Sequence, residues 1–538
     1  MTVWLKYLKQ NVPGALPALA LSLLLSVASG CGYLSQFEPT LVPMPTSEAN
    51  TTPQIGVAVP STPTLIPSAT PIPTPIPSTG MPGVTYTANA QIDLNSHSVI
   101  GTLTALYRNQ SADQLLQVVF RIVAAETPNA FFLTSFHTDD SKDSYALAGS
   151  RLTITLAQPL APGAAKSITI GFALHVPPMG STTVATKNGY FGYSGRQFNL
   201  GDWLPAVAPY VDGKWLVPQP WPLIGETTVS QAASYDVTIA VSGVPNGQVN
   251  KLMVAGPGTV THPDAATWHF ELDHARNFAL SVSTDFTVRR AVTTDNITVE
   301  LYTFGTSGSS AADYTLKVAQ DALTRYGQLF DEPCVYKRVV LVEGDFPDGI
   351  EFSGLVFVGT VWFSAYTGGA QSWLTLITAH ELAHQWWYSS VGDDQSQNPF
   401  LDEGFAVFSE LLYAEQTMPG GDKWWWEFRV TSLQPQGYVD SSVYDFTNSR
   451  LYINAVYLRG ALMLQEVRQT IGDAAFLAWL RAYAHTQADR IATPAVLWGL
   501  LSPDEYARTA SIRAHYLRNP DPINSPLIVT PAATQRGV

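Results

Sequence analysis

The feature that most constrains the fold of this chain is a pair of histidines followed by a distant glutamate. His380 and His384 flank Glu381 in an H-E-x-x-H pattern, and eighteen residues separate His384 from Glu403. Residues four apart on an α-helix lie about one turn from each other, so both imidazoles project from one helix face. A fold that uses these side chains together must bring a second segment, the one with Glu403, against that face.

Two imidazoles and one carboxylate form the donor set of many tetrahedral Zn2+ sites that keep a water in the fourth position. We therefore predict one Zn2+ per chain, bound by His380, His384 and Glu403 on two adjacent helices. Glu381 lies beside the histidines, where its carboxylate can take a proton from the water. The pattern indicates a zinc peptidase. Two histidines that only satisfy backbone groups in a buried helix would explain neither glutamate.

Length, charge and cysteine content narrow the class of protein. The chain has 538 residues, of which 46% are hydrophobic, so it is globular and long enough for two or more domains. A formal net charge of -14 argues against a nucleic-acid partner, because nucleic acids select basic stripes. Cys31 and Cys334 are the two cysteines, which excludes a disulfide framework. We predict that Cys334 is a buried, inert thiol.

Residues 1–30 have the pattern of a lipoprotein-type signal peptide. Lys6 and Lys9 precede an uncharged apolar stretch, and small residues stand directly before Cys31. This arrangement resembles a bacterial lipobox, in which the cysteine is lipidated and becomes the mature N-terminus. Simple cleavage and an uncleaved anchor are the alternatives to lipidation at Cys31.

Residues 31–82 are predicted to be a spacer. Between Pro39 and Pro82 the chain has 12 prolines, 13 serines or threonines and a single charged residue, Glu48. Such a composition cannot build a core and favours extended, semi-rigid conformations. A lipid followed by a spacer predicts a protein held on the extracytoplasmic face of a membrane in a bacterial cell envelope. These features do not define an oligomeric state.

Between residues 83 and 290 the pattern is β-rich. Apolar and polar residues alternate at 152–156, 167–170, 235–241 and 268–272, with Gly- and Pro-containing turns between them. We predict an antiparallel β saddle or sandwich. The loop containing Gly225 and Glu226, before the third of these strands, either lines a cleft or packs between sheets, and its composition favours packing.

Helical periodicity dominates residues 291–520, the predicted catalytic domain, which a tail over 521–538 follows. A strand is predicted at 338–342. The predicted helices cover about 314–330, 372–391, 401–416, 453–471, 473–486 and 493–502. The chain is therefore an α+β multidomain protein with a β-rich half before an α-rich half.

The metal motif resembles that of one zincin family in particular. No third histidine follows closely, which excludes the metzincin pattern, and Val407 stands where thermolysin-like enzymes carry aspartate. The spacing from His384 to Glu403, within Glu-Gly-Phe-Ala, is similar to that of the aminopeptidase N and leukotriene hydrolase family of gluzincins. The resemblance covers about residues 84–500 and implies a short form that lacks the family's long C-terminal helical domain. It also implies a thermolysin-like catalytic domain.

Two further segments carry this resemblance. Gly349-Ile350-Glu351-Phe352-Ser353 stands where the family has Gly-x-Met-Glu-Asn, which implies that Gly349 and Glu351 bind substrate and that Glu351 receives its free α-amino group. Phe352 and Ser353 depart from the family's pattern at that point. Val456-Tyr457-Leu458-Arg459-Gly460-Ala461 resembles the family's Val-Tyr-x-Lys-Gly-Ala, which implies that the Tyr457 hydroxyl stabilises the oxyanion. Tyr444 and Tyr452 compete with Tyr457 on position alone.

The resemblance implies a zinc aminopeptidase that acts on peptides at the outer face of a membrane. Glu381 is the predicted general base, and Tyr457 and Glu351 complete the predicted site. Two interpretations stay open within hydrolysis: an endopeptidase in which Glu351 binds no amine, and an epoxide hydrolase activity, which some relatives combine with peptidase activity. A third interpretation, from another class, is a catalytically inactive lipid-anchored binding protein.

Overall fold

Alternation of apolar and polar side chains builds the first half of the molecule from strands. A computed structural model describes residues 83–180, 189–305 and 309–524. The predicted signal segment, Cys31 and the predicted spacer therefore lie outside the described residues, as does most of the predicted tail. The described residues belong to one compact unit, and among them no helix is both long and apolar enough to cross a membrane.

The strands of the first half fall into four sheets. They are β1 (Val84–Asp93), β2 (Ser98–Arg108), β3 (Leu115–Arg121), β4 (Phe131–Thr138), β5 (Ser144–Ala148), β6 (Arg151–Leu160), β7 (Ala165–His175), β8 (Phe191–Tyr193), β9 (Phe198–Leu200), β10 (Ala206–Val207), β11 (Tyr210–Val211), β12 (Lys214–Trp215), β13 (Ala233–Ser242), β14 (Met253–Ala255), β15 (Thr259–Asp264), β16 (Thr267–Ala275) and β17 (Leu280–Ser283). The largest sheet has the strand order β15-β16-β13-β1-β2-β7-β4.

The predicted β-rich half is confirmed, with one departure from an antiparallel arrangement. In the large sheet β1 and β13 run parallel, with Thr85 opposite Ser234, whereas every other neighbouring pair of that sheet is antiparallel. A parallel pair needs a long connection, and the chain between β1 and β13 provides one by building the smaller sheets. Tyr86 and Tyr235 stack across this parallel pair with ring centroids 4.8 Å apart.

The second half begins with a five-stranded mixed sheet of order β18-β19-β20-β22-β21. Its strands are β18 (Phe286–Val292), β19 (Thr298–Phe304), β20 (Arg338–Gly344), β21 (Gly349–Phe352) and β22 (Leu355–Gly359). β21 pairs with β22 and forms one edge of this sheet. Residue 290, where we predicted the domain boundary, lies inside β18.

The helices follow the predicted order. They are α1 (Ser309–Phe330), α2 (Thr360–Ala365), α3 (Trp373–Ala383), α4 (Glu403–Thr417), α5 (Gly421–Trp425), α6 (Ser449–Tyr452), α7 (Arg459–Ile471), α8 (Asp473–Thr486), α9 (Pro494–Gly499), α10 (Pro503–Arg508) and α11 (Ala510–Tyr516). The segments Trp426–Val430 and Ile453–Leu458 are π-helical. α1 connects β19 to the parallel strand β20, as parallel neighbours require.

The helix with the two histidines is shorter than its pattern predicts. α3 starts after Ser372, whose hydroxyl accepts a hydrogen bond from the backbone of Thr375, and it ends at Ala383 instead of near residue 391. The chain then turns, and the guanidinium of Arg276, from the β-rich half, donates to the carbonyls of Ser389 and Ser390 at 3.0 and 2.6 Å. The β-rich half thus binds the segment that follows this helix, through contacts that no local sequence pattern contains.

Two other predictions concern buried groups of this half. Cys334 is buried, and burial raises the pKa of its thiol to about 12, so the thiol is inert at neutral pH. Tyr326 of α1 is also buried, and its hydroxyl oxygen lies 3.1 Å from the carbonyls of both Ala379 and Ser409. This tyrosine joins α3 to α4, the two helices that the metal motif requires to be neighbours.

Candidate active site

The structure brings the three predicted metal ligands together. His380 and His384 come from one turn at the end of α3, and Glu403 is the first residue of α4, where the Asp402 carboxylate accepts from the Glu403 backbone N–H at 2.6 Å. The Nε2 atoms of the two histidines are 3.2 Å apart. Glu403 Oε2 lies 3.2 Å from Nε2 of His380 and 3.6 Å from Nε2 of His384.

This triangle of donor atoms fits a zinc ion. Ligand atoms about 2.1 Å from a tetrahedral Zn2+ are about 3.4 Å apart, close to the three distances in this site. Burial by itself would lower the pKa of His380, but the carboxylates of Glu403 and Glu410 raise it to about 10. The negative charge of these carboxylates attracts a cation to the three donor atoms. All three residues that carry the donor atoms are buried.

Hydrogen bonds behind the ligands fix which nitrogen of each histidine faces the site. His384 Nδ1 is 2.9 Å from the carbonyl oxygen of Trp387, and His380 Nδ1 is 3.0 Å from Oε1 of Glu410. Glu410 also accepts from Arg429 Nε at 3.0 Å and from Trp425 Nε1 at 3.1 Å. Partners of this kind orient metal-binding imidazoles. The sequence pattern did not single out Glu410, although it lies two helical turns after Glu403 on the same helix.

Glu381 faces the site from α3 and lies against β21. A side chain at Gly349 would overlap the Glu381 carboxylate, so the absence of one is what lets the strand approach the helix. Burial raises the pKa of Glu381 well above its ordinary value, an effect that His380 opposes and Glu403 reinforces. Its Oε2 atom is buried and has no hydrogen-bond partner among the described residues, so it is available to a reactant.

Glu351, the predicted amine-binding residue, lies on β21 and is 6% exposed. Its Oε1 accepts a hydrogen bond of 2.9 Å from the side-chain amide nitrogen of Gln395, and the same nitrogen donates to Oδ2 of Asp402 at 2.8 Å. Oxygen atoms of Glu351 and Asp402 lie within 4.8 Å of a ring nitrogen of His384. One neutral amide therefore holds the Glu351 carboxylate beside the metal ligands. Sequence reasoning did not find Gln395.

A second carboxylate reaches this region from the β-rich half. Glu226 follows Gly225, whose φ is 71° and where a side chain would collide with Val443 and Tyr452. Burial and the charge of Glu403 raise the pKa of Glu226 to about 8. The pKa of Glu351 is raised well above its ordinary value, mainly by burial and secondly by the charge of Glu226. The loop therefore packs against Val443 and Tyr452 of the helical half and brings the Glu226 carboxylate into the field of Glu403 and Glu351. No sequence pattern indicates this neighbourhood.

Tyr457 is the tyrosine whose hydroxyl reaches the metal ligands. Its hydroxyl donates to Oε1 of Glu403, and its ring lies parallel to that of His380 with centroids 6.0 Å apart. Of its competitors, Tyr444 donates to the carbonyl of Gln219 at 2.8 Å. The Tyr452 hydroxyl is buried with no partner among the described residues. Tyr457 belongs to the π-helical segment Ile453–Leu458, and such segments are frequent at functional sites.

A buried pair of histidines with one glutamate, a carboxylate beside them and an open edge strand define the site of a zinc-peptidase fold. Comparisons with known proteins agree with this class. Residues 314–515 match the family model described as the peptidase family M1 domain. The matched segment contains every predicted metal-binding and catalytic residue, so the likeness to the peptidase M1 family includes the candidate site.

The relatives include several aminopeptidases. Endoplasmic reticulum aminopeptidase 1 of Homo sapiens is 27% identical over 231 residues, which are 40% of this chain and 24% of that protein. Aminopeptidase N of Lactobacillus delbrueckii subsp. lactis is 25% identical over 257 residues, 44% of this chain and 30% of that protein. The matched region thus spans less than a third of the length of these curated relatives.

Solved structures extend the likeness in fold to the β-rich half. The crystal structure of an M1 zinc metallopeptidase from Deinococcus radiodurans superposes with a TM-score of 0.58, covering 83% of this chain and 96% of that chain at 18% identity. The predicted order of a β-rich domain and a thermolysin-like catalytic domain is therefore confirmed. At this identity the likeness concerns the fold alone.

Proposed function

We propose that this protein is a zinc-dependent aminopeptidase that removes N-terminal residues from peptides. The observation that carries the proposal is the buried Glu351 carboxylate on an open edge strand, beside the predicted zinc ligands and within the field of Glu226. Two carboxylates that raise each other's pKa are stabilised by a cation between them. No ion pair joins Glu351 or Glu226 to a cationic side chain within the described parts of the chain, so an ammonium group of the substrate suits this place.

The remaining chemistry follows from the residues around the predicted metal site. One Zn2+ bound by His380, His384 and Glu403 would supply Lewis-acid chemistry, lowering the pKa of water and polarising a carbonyl oxygen. Glu381 takes the proton of the attacking water and transfers it to the leaving amine. Tyr457 donates its hydroxyl proton in a hydrogen bond to the oxyanion as negative charge develops there.

Glu351 determines which bond is presented to Glu381. An ammonium held at Glu351 fixes the first residue of the peptide, and an extended peptide on the free edge of β21 then places its first peptide bond beside Glu381. The Gln395 amide keeps the Glu351 carboxylate in this orientation. An endopeptidase would need no such carboxylate.

The test uses peptides in pairs that differ only in N-terminal acetylation, with zinc content measured on the same preparation. We expect bound zinc near one equivalent, loss of hydrolysis on chelation, and cleavage of the free peptides only. Glu351→Gln should reduce hydrolysis of free peptides while zinc content stays unchanged. Equal rates on acetylated and free peptides would refute the aminopeptidase function and favour the endopeptidase interpretation.

We also infer that the protein is anchored through a lipid on Cys31 at the extracytoplasmic face of a bacterial membrane. The support is the basic start, the apolar stretch and the small residues before Cys31, followed by the Pro-rich spacer. Mass spectrometry of the mature N-terminus should detect a diacylglyceryl cysteine. A Cys31→Ser variant should lose the lipid and leave the membrane fraction, and retention there with no lipid would refute lipid anchoring.

A further inference from the structure

Asp348 is an acidic residue next to the N-terminal end of β21, the strand that carries Glu351. It directly precedes β21, and its φ of 81° lies in the left-handed region, which aspartate and asparagine tolerate better than most residues. The side chain is exposed. Enough protein nevertheless surrounds it that desolvation raises the pKa of its carboxyl. The side chain is thus reached by solvent and is also close to other parts of the protein.

The cations near Asp348 already have carboxylate partners. His380 and Arg429 both act on the Asp348 carboxyl electrostatically. His380, however, is bonded to Glu403 and Glu410, and Arg429 is bonded to Glu410. Within the described parts of the chain no ion pair joins Asp348 to a cationic side chain. Its carboxylate is therefore exposed to solvent, and the described residues offer it no direct counter-ion.

The register of β21 places Asp348 relative to a bound peptide. Successive strand residues advance by about 3.3 Å, so Asp348 lies about 10 Å along the strand from Glu351. Gly349, between them, packs against Glu381, the proposed base at the cleaved bond. A peptide whose amine is held at Glu351 must run antiparallel to β21, past Gly349 and towards Asp348. The residue that follows the cleaved bond thus comes to Asp348.

We propose that Asp348 makes the enzyme prefer substrates with lysine or arginine as the second residue, the first residue of the leaving peptide. This inference rests on the proposed aminopeptidase function. The ammonium or guanidinium group of that side chain lies in the field of the Asp348 carboxylate, and glutamate at the same position is repelled. Since solvent reaches the pair, the preference is modest, about two- to fivefold for lysine over a neutral residue.

The experiment compares kcat/KM for peptides Leu-Xaa-Ala-Ala in which Xaa is lysine, glutamine or glutamate. The wild-type protein should follow the order lysine, glutamine, glutamate, and added salt should compress the differences because it screens exposed charges. Asp348→Asn keeps the size of the side chain and tolerates the left-handed backbone, so it should bring the three rates together. Asp348→Gly, which also removes the backbone strain, should do the same.

Asp345→Asn is the matched control. Asp345 lies three residues earlier, and its carboxylate is paired with Arg196 at 2.7 Å, so this variant should keep the wild-type order. An unchanged lysine-to-glutamine ratio in both Asp348 variants would overturn the inference while the free-amine requirement stands. Equal cleavage of acetylated Leu-Xaa peptides would instead refute the aminopeptidase function itself, so the two failures are distinguishable.

Discussion

The amide of Gln395 is the contact whose removal tests most directly how this site recognises an amine. Gln395 is 3% exposed, and its nitrogen donates to the Glu351 and Asp402 carboxylates at 2.9 and 2.8 Å. Gln395→Met keeps a side chain of similar length but removes both donors. We expect the Glu351 carboxylate to lose its fixed orientation, while the three predicted metal ligands keep their own hydrogen bonds.

The size of the effect follows from the hydrogen bond between Gln395 and Glu351, which orients the carboxylate that binds the substrate's amine in our proposal. A hydrogen bond to a charged group contributes about 1.5–3 kcal/mol, which corresponds to about a tenfold to hundredfold change in binding. An ammonium at Glu351 is bound in both the ground state and the transition state. The loss should therefore appear mainly as a higher KM for free peptides, with kcat nearly unchanged.

The assay measures KM and kcat of Gln395→Met on free peptides, with zinc content and a thermal melt on the same sample. Gln397→Met is the control, because Gln397 lies on the same loop and is partly exposed, whereas the hydrogen bonds to Glu351 and Asp402 come from Gln395. The control should behave as wild type. A fall in kcat at constant KM, or loss of zinc in Gln395→Met, would refute an orienting role for this amide.

Three further predictions concern the base, the oxyanion donor and acid stability. Glu381→Gln should lower kcat about 10²- to 10⁴-fold with zinc content unchanged, and full activity would show that Glu381 is not the base. Tyr457→Phe should lower kcat about 10²- to 10³-fold with KM preserved, whereas an equal rise in KM would point to substrate binding. Burial would raise the pKa of Glu300, but Arg338 and Arg290 lower it below its ordinary value. The ionised Glu300 therefore stabilises the folded protein fully above about pH 5, and this contribution is lost as pH falls through the lowered pKa. Denaturant melts should show Glu300→Gln less stable than wild type at pH 7, with the difference shrinking towards pH 3, and a constant difference would contradict this linkage.

Predictions that depended on local periodicity agree with the structure. The strands around 152–156 and 235–241 and the helix over 473–486 follow from side-chain alternation, because burial of one face imposes a period on a contiguous segment. The approach of His380 and His384 is of the same kind, since helix geometry alone sets their separation. The end of α3 is different: its pattern continues towards residue 391, but the helix ends at Ala383, and the chain beyond it turns and is bound through two carbonyls by Arg276.

The sequence by itself determined the candidate metal ligands and the candidate base beside them, because these residues lie within two short helical segments of readable spacing. Tertiary structure alone decided which side chains surround these candidate ligands. Gln395 beside Glu351, Glu226 from the β-rich half and the register of Asp348 along β21 join segments far apart in the chain. Contacts of this kind depend on how sheets and helices pack, and packing leaves no period in the sequence from which a partner can be read.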